Sequence, residues 1–301
     1  MKFVNLQNTP ELDGASSRPV SFDSNGSTLE GALYVPTNGT GPFPAVIVTG
    51  AWTTVKEQMP GTYARELAAR GYAALAFDFT GWGKSEGAPR FLEDPAVKTA
   101  DIHSAVSFLA GLDEIDDRAI SGLGVCASSG YMASAVADSG NLRKLALVAP
   151  WLHDPEMAKG IYGGAEAVAG MIAASEAKDA AETVLVAASA TDENSVMHKA
   201  PYYTEEERGL IPAYDNKFCV ASWKPWLTYD AQASADRLNK PMLMVGSPSI
   251  ALPAGAKAYE ARTKAPLGKL WLGEDATQFD FYDRADVVKA ACDAVAKFLG
   301  A

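Results

Sequence analysis

Residues 122–130 read Gly122-Leu123-Gly124-Val125-Cys126-Ala127-Ser128-Ser129-Gly130. A cysteine stands among small residues, after a short apolar run (Ala119, Ile120, Leu123, Val125) and before a segment that reads as helix. Strand, sharp turn and helix make the layout of a nucleophile elbow, whose usual form is G-x-S-x-G. Here the slot is Gly124-Val125-Cys126-Ala127-Ser128. The turn is strained, so its flanking residues have to be small, and Gly124, Ala127 and Ser128 meet that need. A helix starting there sets its positive end under the sulfur and favours thiolate. The pattern is short, and its meaning rests on what surrounds it.

Upstream, Val20 and Phe22, then Leu29, Gly31, Leu33 and Val35, alternate with polar or small residues around Asn25-Gly26. That is a hairpin signal. Ala45-Val46-Ile47-Val48 is a continuous apolar run, as expected of a strand buried on both faces of a parallel sheet. Thr49-Gly50-Ala51-Trp52 breaks it. Tyr63, Leu67 and Ala68 recur at helical spacing up to Gly71. Residues 72–79 read as the next buried strand, and Pro95 to Leu109 as a helix with Ile102, Val106 and Leu109 inward.

Downstream, the elbow helix closes near Ser139-Gly140, and Leu145 to Ala149 forms another buried strand before Pro150-Trp151-Leu152-His153-Asp154. Residues 155–235 break the rhythm, first Ala- and Gly-rich, then aromatic, and are expected to form a helical cap insertion over the sheet. The pattern resumes with the strand at Met242–Val245, a helix around Ala256–Ala261, the strand Lys269–Leu272 and a last helix from about Ala285 to Leu299. Strands alternating with helices predict an α/β fold with a mostly parallel central sheet. Residues 1–154 and 236–301 form its expected core.

At 301 residues, with 48% apolar and 21% charged content, the chain is long enough for one elaborated domain. A net charge of -11 weighs against nucleic acid and anionic lipid as partners. The first residues lack the apolar core of a signal peptide, and no apolar stretch is long enough to span a bilayer. Three cysteines match no zinc spacing, so a cytoplasmic location, no metal and no cofactor are expected. Gly81-Trp82-Gly83-Lys84-Ser85 looks superficially like a phosphate loop, but lacks the earlier glycine and follows the wrong strand for one.

In this context the chain resembles the α/β-hydrolases, and specifically the dienelactone-hydrolase-like branch that uses a cysteine. The resemblance rests on Val55-Lys56-Glu57-Gln58-Met59, on residues 77–87, on Pro89-Arg90-Phe91-Leu92-Glu93-Asp94-Pro95, on the elbow through Tyr131, and on Phe279-Asp280-Phe281-Tyr282-Asp283. Two departures stand out. The family has an acid in the loop after the penultimate strand, whereas Gly246 to Pro253 holds no carboxylate. The family's catalytic histidine sits just before the Asp-x-Tyr-Asp stretch, where this chain has Gln278. Glutamine is no general base, so the standard triad does not carry over whole.

The resemblance implies that Cys126 is the nucleophile and that Glu57 approaches its sulfur. The competing reading of Glu57 is a solvated carboxylate at a helix start beside Lys56. His153 lies at the carboxyl edge of the sheet, where sites of open α/β folds sit, and is either a pocket residue or a hydrogen-bonded loop histidine. His198 lies in the insertion, from which a side chain can reach a pocket. His103 is read as a surface residue, and Cys219 and Cys292 as core. The oxyanion hole is expected from the backbone N–H of Ala127 and that of Ala51 or Trp52. Trp52, Trp82 and Trp151 fall at strand ends, where they line an apolar pocket or pack the insertion against the sheet.

The function expected from this reading is an enzyme acting on an ester, lactone or thioester carbonyl through Cys126, on an apolar or acyl small molecule. The alternatives are an acyltransferase, lyase or isomerase in the same pocket, or a ligand-binding protein without catalysis. A homodimer is the default assembly.

Overall fold

The computed structural model describes residues 2–6 and 12–300; Met1, residues 7–11 and Ala301, all within the expected core segments, lie outside the described residues. Asn25 and Gly26 both take positive φ, 50° and 84°, as a tight two-residue hairpin turn requires. They join β1 (Ala15–Ser24) to β2 (Ser27–Pro36), antiparallel, with Ser24 opposite Ser27. The run Ala45–Val48 lies in β3 (Phe43–Thr49) and is buried throughout. The strands β4 (Ala73–Phe77), β5 (Ile115–Val125), β6 (Leu142–Val148), β7 (Met242–Gly246) and β8 (Leu267–Trp271) complete one eight-stranded sheet.

Its order is β1-β2-β4-β3-β5-β6-β7-β8. Every pairing from β4 to β8 is parallel, and the hairpin adds an antiparallel edge. Parallel neighbours need crossovers. These are α1 (Met59–Ala68), α2 (Pro95–Ala110), α3 (Ser128–Asp138) and, between β7 and β8, the later helix Pro253–Arg262. The start of α2 is set locally: the Asp94 carboxylate accepts from the N–H groups of Ala96 (2.8 Å) and Val97 (3.2 Å), and Pro95 follows as the first helical residue. The last helix, Ala285–Gly300, buries Val287, Val288, Ala291, Cys292 and Val295. The architecture is the expected α/β-hydrolase sheet.

Between β6 and β7 the chain leaves the sheet. It forms α4 (Pro155–Ile161), α5 (Ala165–Ser175) and short helices at Pro201–Thr204 and Trp223–Leu227. It also forms two small ribbons, Val184–Val186 with Lys217–Cys219 and Ala188–Ser189 with Met197–His198. Its aromatic residues pack on the loop after β3. The Trp52 ring meets Phe218, Trp223 and Trp226 at centroid distances of 4.9, 6.1 and 5.0 Å.

The β5-to-α3 turn is closely packed. A Cβ on Gly124 would lie 2.6 Å from the Ser128 carbonyl oxygen and 2.9 Å from the Ser129 Cα, backbone atoms that cannot rotate away. Gly124→Ala is expected to cost about 2–3 kcal/mol by overpacking. Gly140→Ala, whose Cβ meets nothing within 4 Å, is expected to stay within about 0.5 kcal/mol of the parent. Urea midpoints compare the two; equal midpoints would contradict this account of the turn.

Candidate functional site

Cys126 sits between β5 and α3 with φ of 57°, a left-handed conformation rare for a residue with a side chain. The surroundings over-determine it. Its N–H donates to the Val148 carbonyl (3.0 Å), and its own carbonyl accepts from the N–H groups of Ser129 and Trp151, both at 3.0 Å. Ser129 Oγ donates back to the Gly124 carbonyl (3.1 Å), and Ser128 Oγ donates to that of Gly50. The sulfur is thereby turned out of the strand toward three donors: the backbone N–H groups of Ala127 and Trp52 and the hydroxyl of Tyr282. Burial nevertheless pushes the Cys126 thiol above its ordinary range, outweighing those three bonds, and the nearby charge of Glu93 adds to the rise. Burial thus opposes the thiolate that the helix end alone favours.

Gln278, in the slot expected for a histidine, works as a bracket. Its Nε2 donates to the Ala149 carbonyl (3.0 Å) and to Tyr282 Oη (2.9 Å), and its Oε1 accepts from the Ala251 N–H (2.8 Å). With Gln278 donating to its oxygen, Tyr282 is left to donate its own proton to the sulfur. The arrangement joins the ends of β6 and β7 to the candidate nucleophile.

Cys126 opens on a cavity of about 420 Å³. Of the residues singled out in the sequence, Ala127, Trp52, Trp151 and Gln278 line it with Cys126, and so does His198. Four others do not. His153 is buried, but its Nδ1 accepts from Trp151 Nε1 (3.1 Å) and its Nε2 meets the Trp226 carbonyl (2.9 Å). Both ring nitrogens are engaged, so it supports two tryptophans instead of serving Cys126. Glu57 pairs with Lys56 Nζ at 3.0 Å, and Lys56 pairs in turn with buried Asp78 at 2.6 Å; the carboxylate belongs to that cluster and not to the sulfur. The Ala51 N–H points at Met59 Sδ (3.5 Å), which leaves Trp52 as the amide at the sulfur. Trp82 donates to the Leu92 carbonyl (2.9 Å) and lies under the Lys98 ammonium, 4.7 Å from its ring centroid.

Two residues of the site were not singled out in the sequence. Tyr282 was legible only as part of a family stretch, although it stands four residues after Gln278. Glu93 is fully buried, paired with Lys98 at 2.7 Å, and accepts from the Tyr131 hydroxyl (2.7 Å) and more weakly from the Thr53 N–H (3.4 Å). His198, which the sequence places within reach of a pocket, lines the cavity. Its Nδ1 lies 3.1 Å from the Asp192 carbonyl. A carbonyl only accepts, so Nδ1 carries a proton, and in the neutral ring Nε2 keeps a lone pair. That Nε2 is buried and has no hydrogen-bond partner among the described residues. Among the described residues no cluster of three or more His, Cys, Asp or Glu is suited to a metal, and no helix is long and apolar enough to cross a membrane.

Burial lowers the His153 pKa below its ordinary 6.5. The unfolded chain takes up this proton first as pH falls, so the contribution is complete above 6.5 and is lost as pH drops toward the lowered folded value. His153→Gln is expected to flatten the fall in urea midpoint between about pH 7.5 and about pH 5.5. Alkylation of Cys126 by iodoacetamide should stay within about twofold of the parent, whereas loss of a general base costs about 100-fold or more. A loss of that size would return His153 to the sulfur's chemistry.

With this geometry in hand, comparison with known proteins adds the lineage. YcjY, an uncharacterised protein of Escherichia coli strain K12, is 27% identical over 297 residues, spanning 93% of this chain and 97% of that one. The crystal structure of the hypothetical protein PA2218 of Pseudomonas aeruginosa matches with a TM-score of 0.83 and 25% identity, covering 100% of this chain and 99% of that one. The acyltransferase drtE of Aspergillus calidoustus is 26% identical over 191 residues, 63% of this chain and 55% of that protein. Residues 25–275 match the model of the X-Pro dipeptidyl-peptidase (S15) family. The chain, an α/β-hydrolase by its sheet and its elbow-like turn, belongs to that family.

Proposed function

We propose that the protein takes an acyl group from a thioester, or less readily from an ester, onto Cys126 and passes it to a second nucleophile. The observation that carries this reading is the convergence of the Trp52 and Ala127 N–H groups on the Cys126 sulfur at the wall of a cavity. Attack of Sγ on the carbonyl carbon forms the S–C bond and leaves an oxyanion beside those two amides. Collapse breaks the bond to the leaving group, and the thiol proton ends on that group. One such preorganised donor is typically worth about 3 kcal/mol in the transition state.

The proton chemistry favours thioesters. A thiolate leaves with little protonation, whereas an alkoxide needs a general acid placed at the leaving oxygen, which Gln278, in the family's histidine slot, does not supply. His198 is the residue we assign to the thiol proton, because its Nε2 has no hydrogen-bond partner among the described residues and its side chain lines the same cavity. The side chains of Trp151, Tyr162, Trp226, Phe279 and Ile161 fit an apolar or aromatic acyl group, and about 420 Å³ is ordinary for a small-molecule site. Without a histidine braced by a carboxylate, water is a poor second nucleophile, which supports transfer over hydrolysis; the similarity to an acyltransferase runs the same way. In this reading residues 155–235 are the cap that shapes the acyl pocket.

Intact-mass spectrometry after mixing with the p-nitrothiophenyl thioester of butyric acid tests the proposal. The parent is expected to gain one butyryl group and Cys126→Ala none, with His198→Gln acylating about 100-fold slower or worse near neutral pH. Equal thioester turnover by Cys126→Ala would remove covalent catalysis, and binding without an adduct would make the cavity a non-catalytic site.

A further inference from the structure

The peptide plane that carries the Trp52 N–H is held within the loop, and the plane that follows it is gripped from outside. In the first plane, the Ala51 carbonyl accepts from Thr54 Oγ1 (2.6 Å), while the Trp52 N–H faces the sulfur. In the next, the Trp52 carbonyl accepts from the Tyr203 hydroxyl (3.2 Å) and the Thr53 N–H donates to Glu93 (3.4 Å). Thr53 Oγ1 meets the Tyr214 hydroxyl at 3.1 Å. The N–H of Glu93 itself donates to Ser222 Oγ (2.9 Å). Tyr203, Tyr214 and Ser222 all belong to the segment between β6 and β7.

Thr53 shows why so many bonds converge there. It has φ of 63°, a left-handed conformation unfavourable for a β-branched residue. Such a backbone persists only where its neighbours hold it. The Tyr203 and Tyr214 rings are themselves buried and packed together, with centroids 5.8 Å apart. Neither hydroxyl is needed to fill space, since phenylalanine would pack the same volume.

We infer that Tyr203 and Tyr214 are positioning residues, which hold the Trp52 amide on the Cys126 sulfur and so make the inserted segment a working part of the oxyanion site. The catalytic consequence rests on the acyl-transfer reading; the effect on the sulfur does not. The segment that shapes the acyl pocket also sets one of the two donors, so displacing it weakens acyl chemistry without touching Cys126.

The test uses Tyr203→Phe and Tyr214→Phe, which remove one hydroxyl each and keep the ring. Tyr259→Phe is the control: its buried hydroxyl meets Ser234 (2.9 Å), away from the loop. The first readout needs no substrate. Loosening the Trp52 N–H removes a bond that favours thiolate, so the pH profile of Cys126 alkylation by iodoacetamide moves to higher pH and the rate at fixed neutral pH falls about threefold or more. The second is turnover of the butyryl thioester, where kcat falls about tenfold with KM little changed. Profiles for both tyrosine variants that match Tyr259→Phe would overturn the inference. Should Tyr203→Phe fail to fold, Tyr214→Phe decides alone by the same criterion. If the parent forms no acyl-enzyme, the acyl-transfer reading falls, and the alkylation profile still decides this one.

Discussion

Cys126 is held in a left-handed backbone conformation between a parallel strand and a helix, and the rest of the site follows from that constraint. The conformation costs about 1–3 kcal/mol for a residue with a side chain. It is held by bonds to the two neighbouring structural layers: to Val148 at the end of β6, to Trp151 beyond it, and to Ser129 in α3. Gly124 lets α3 approach so closely that no side chain fits at that position. The strain turns the sulfur away from the sheet and toward the loop after β3, where the Trp52 amide meets it.

The electrostatics of the site are a contest between burial and hydrogen bonding. Three donors favour a charged sulfur, and desolvation opposes them and wins in the resting state. Bonds of this kind matter most when negative charge develops in a dry cavity, because they are already oriented. Beneath the loop, Glu93 and Lys98 form a buried pair enclosed by the rings of Phe79, Trp82 and Tyr131. Breaking such a pair by removing one partner typically costs about 3–5 kcal/mol. An apolar pair of the same volume would save that desolvation, but it would not bind the Thr53 amide, the Tyr131 hydroxyl and α2 together. The pair fixes the loop that carries the Trp52 amide.

The frame was legible because it is written in local pattern. Ala45–Val48 reads as a strand buried on both faces, Asn25-Gly26 as a hairpin turn, and small residues around Cys126 as a strained bend. The partners of the sulfur were less legible, because each depends on which of several nearby groups a side chain meets first. Glu57 has Lys56 beside it and pairs there. His153 stands at the correct edge of the sheet, yet Trp151 and the Trp226 carbonyl engage both of its nitrogens. The choice between the Ala51 and Trp52 amides turned on the Met59 sulfur, eight residues away in sequence, which accepts the former. Tyr203 and Tyr214 lie about 150 residues from the dipeptide they grip, a separation at which no local periodicity carries information.

The central claim is that the Trp52 and Ala127 amides receive the oxygen of an acyl group carried by Cys126. A crystal structure of the protein acylated on that cysteine by a butyryl thioester tests it most directly. The acyl oxygen is expected within about 3.1 Å of both backbone nitrogens, with the butyryl chain against Trp151 and Trp226. An acyl oxygen turned away from both amides, or an acyl group found on another residue, would contradict it.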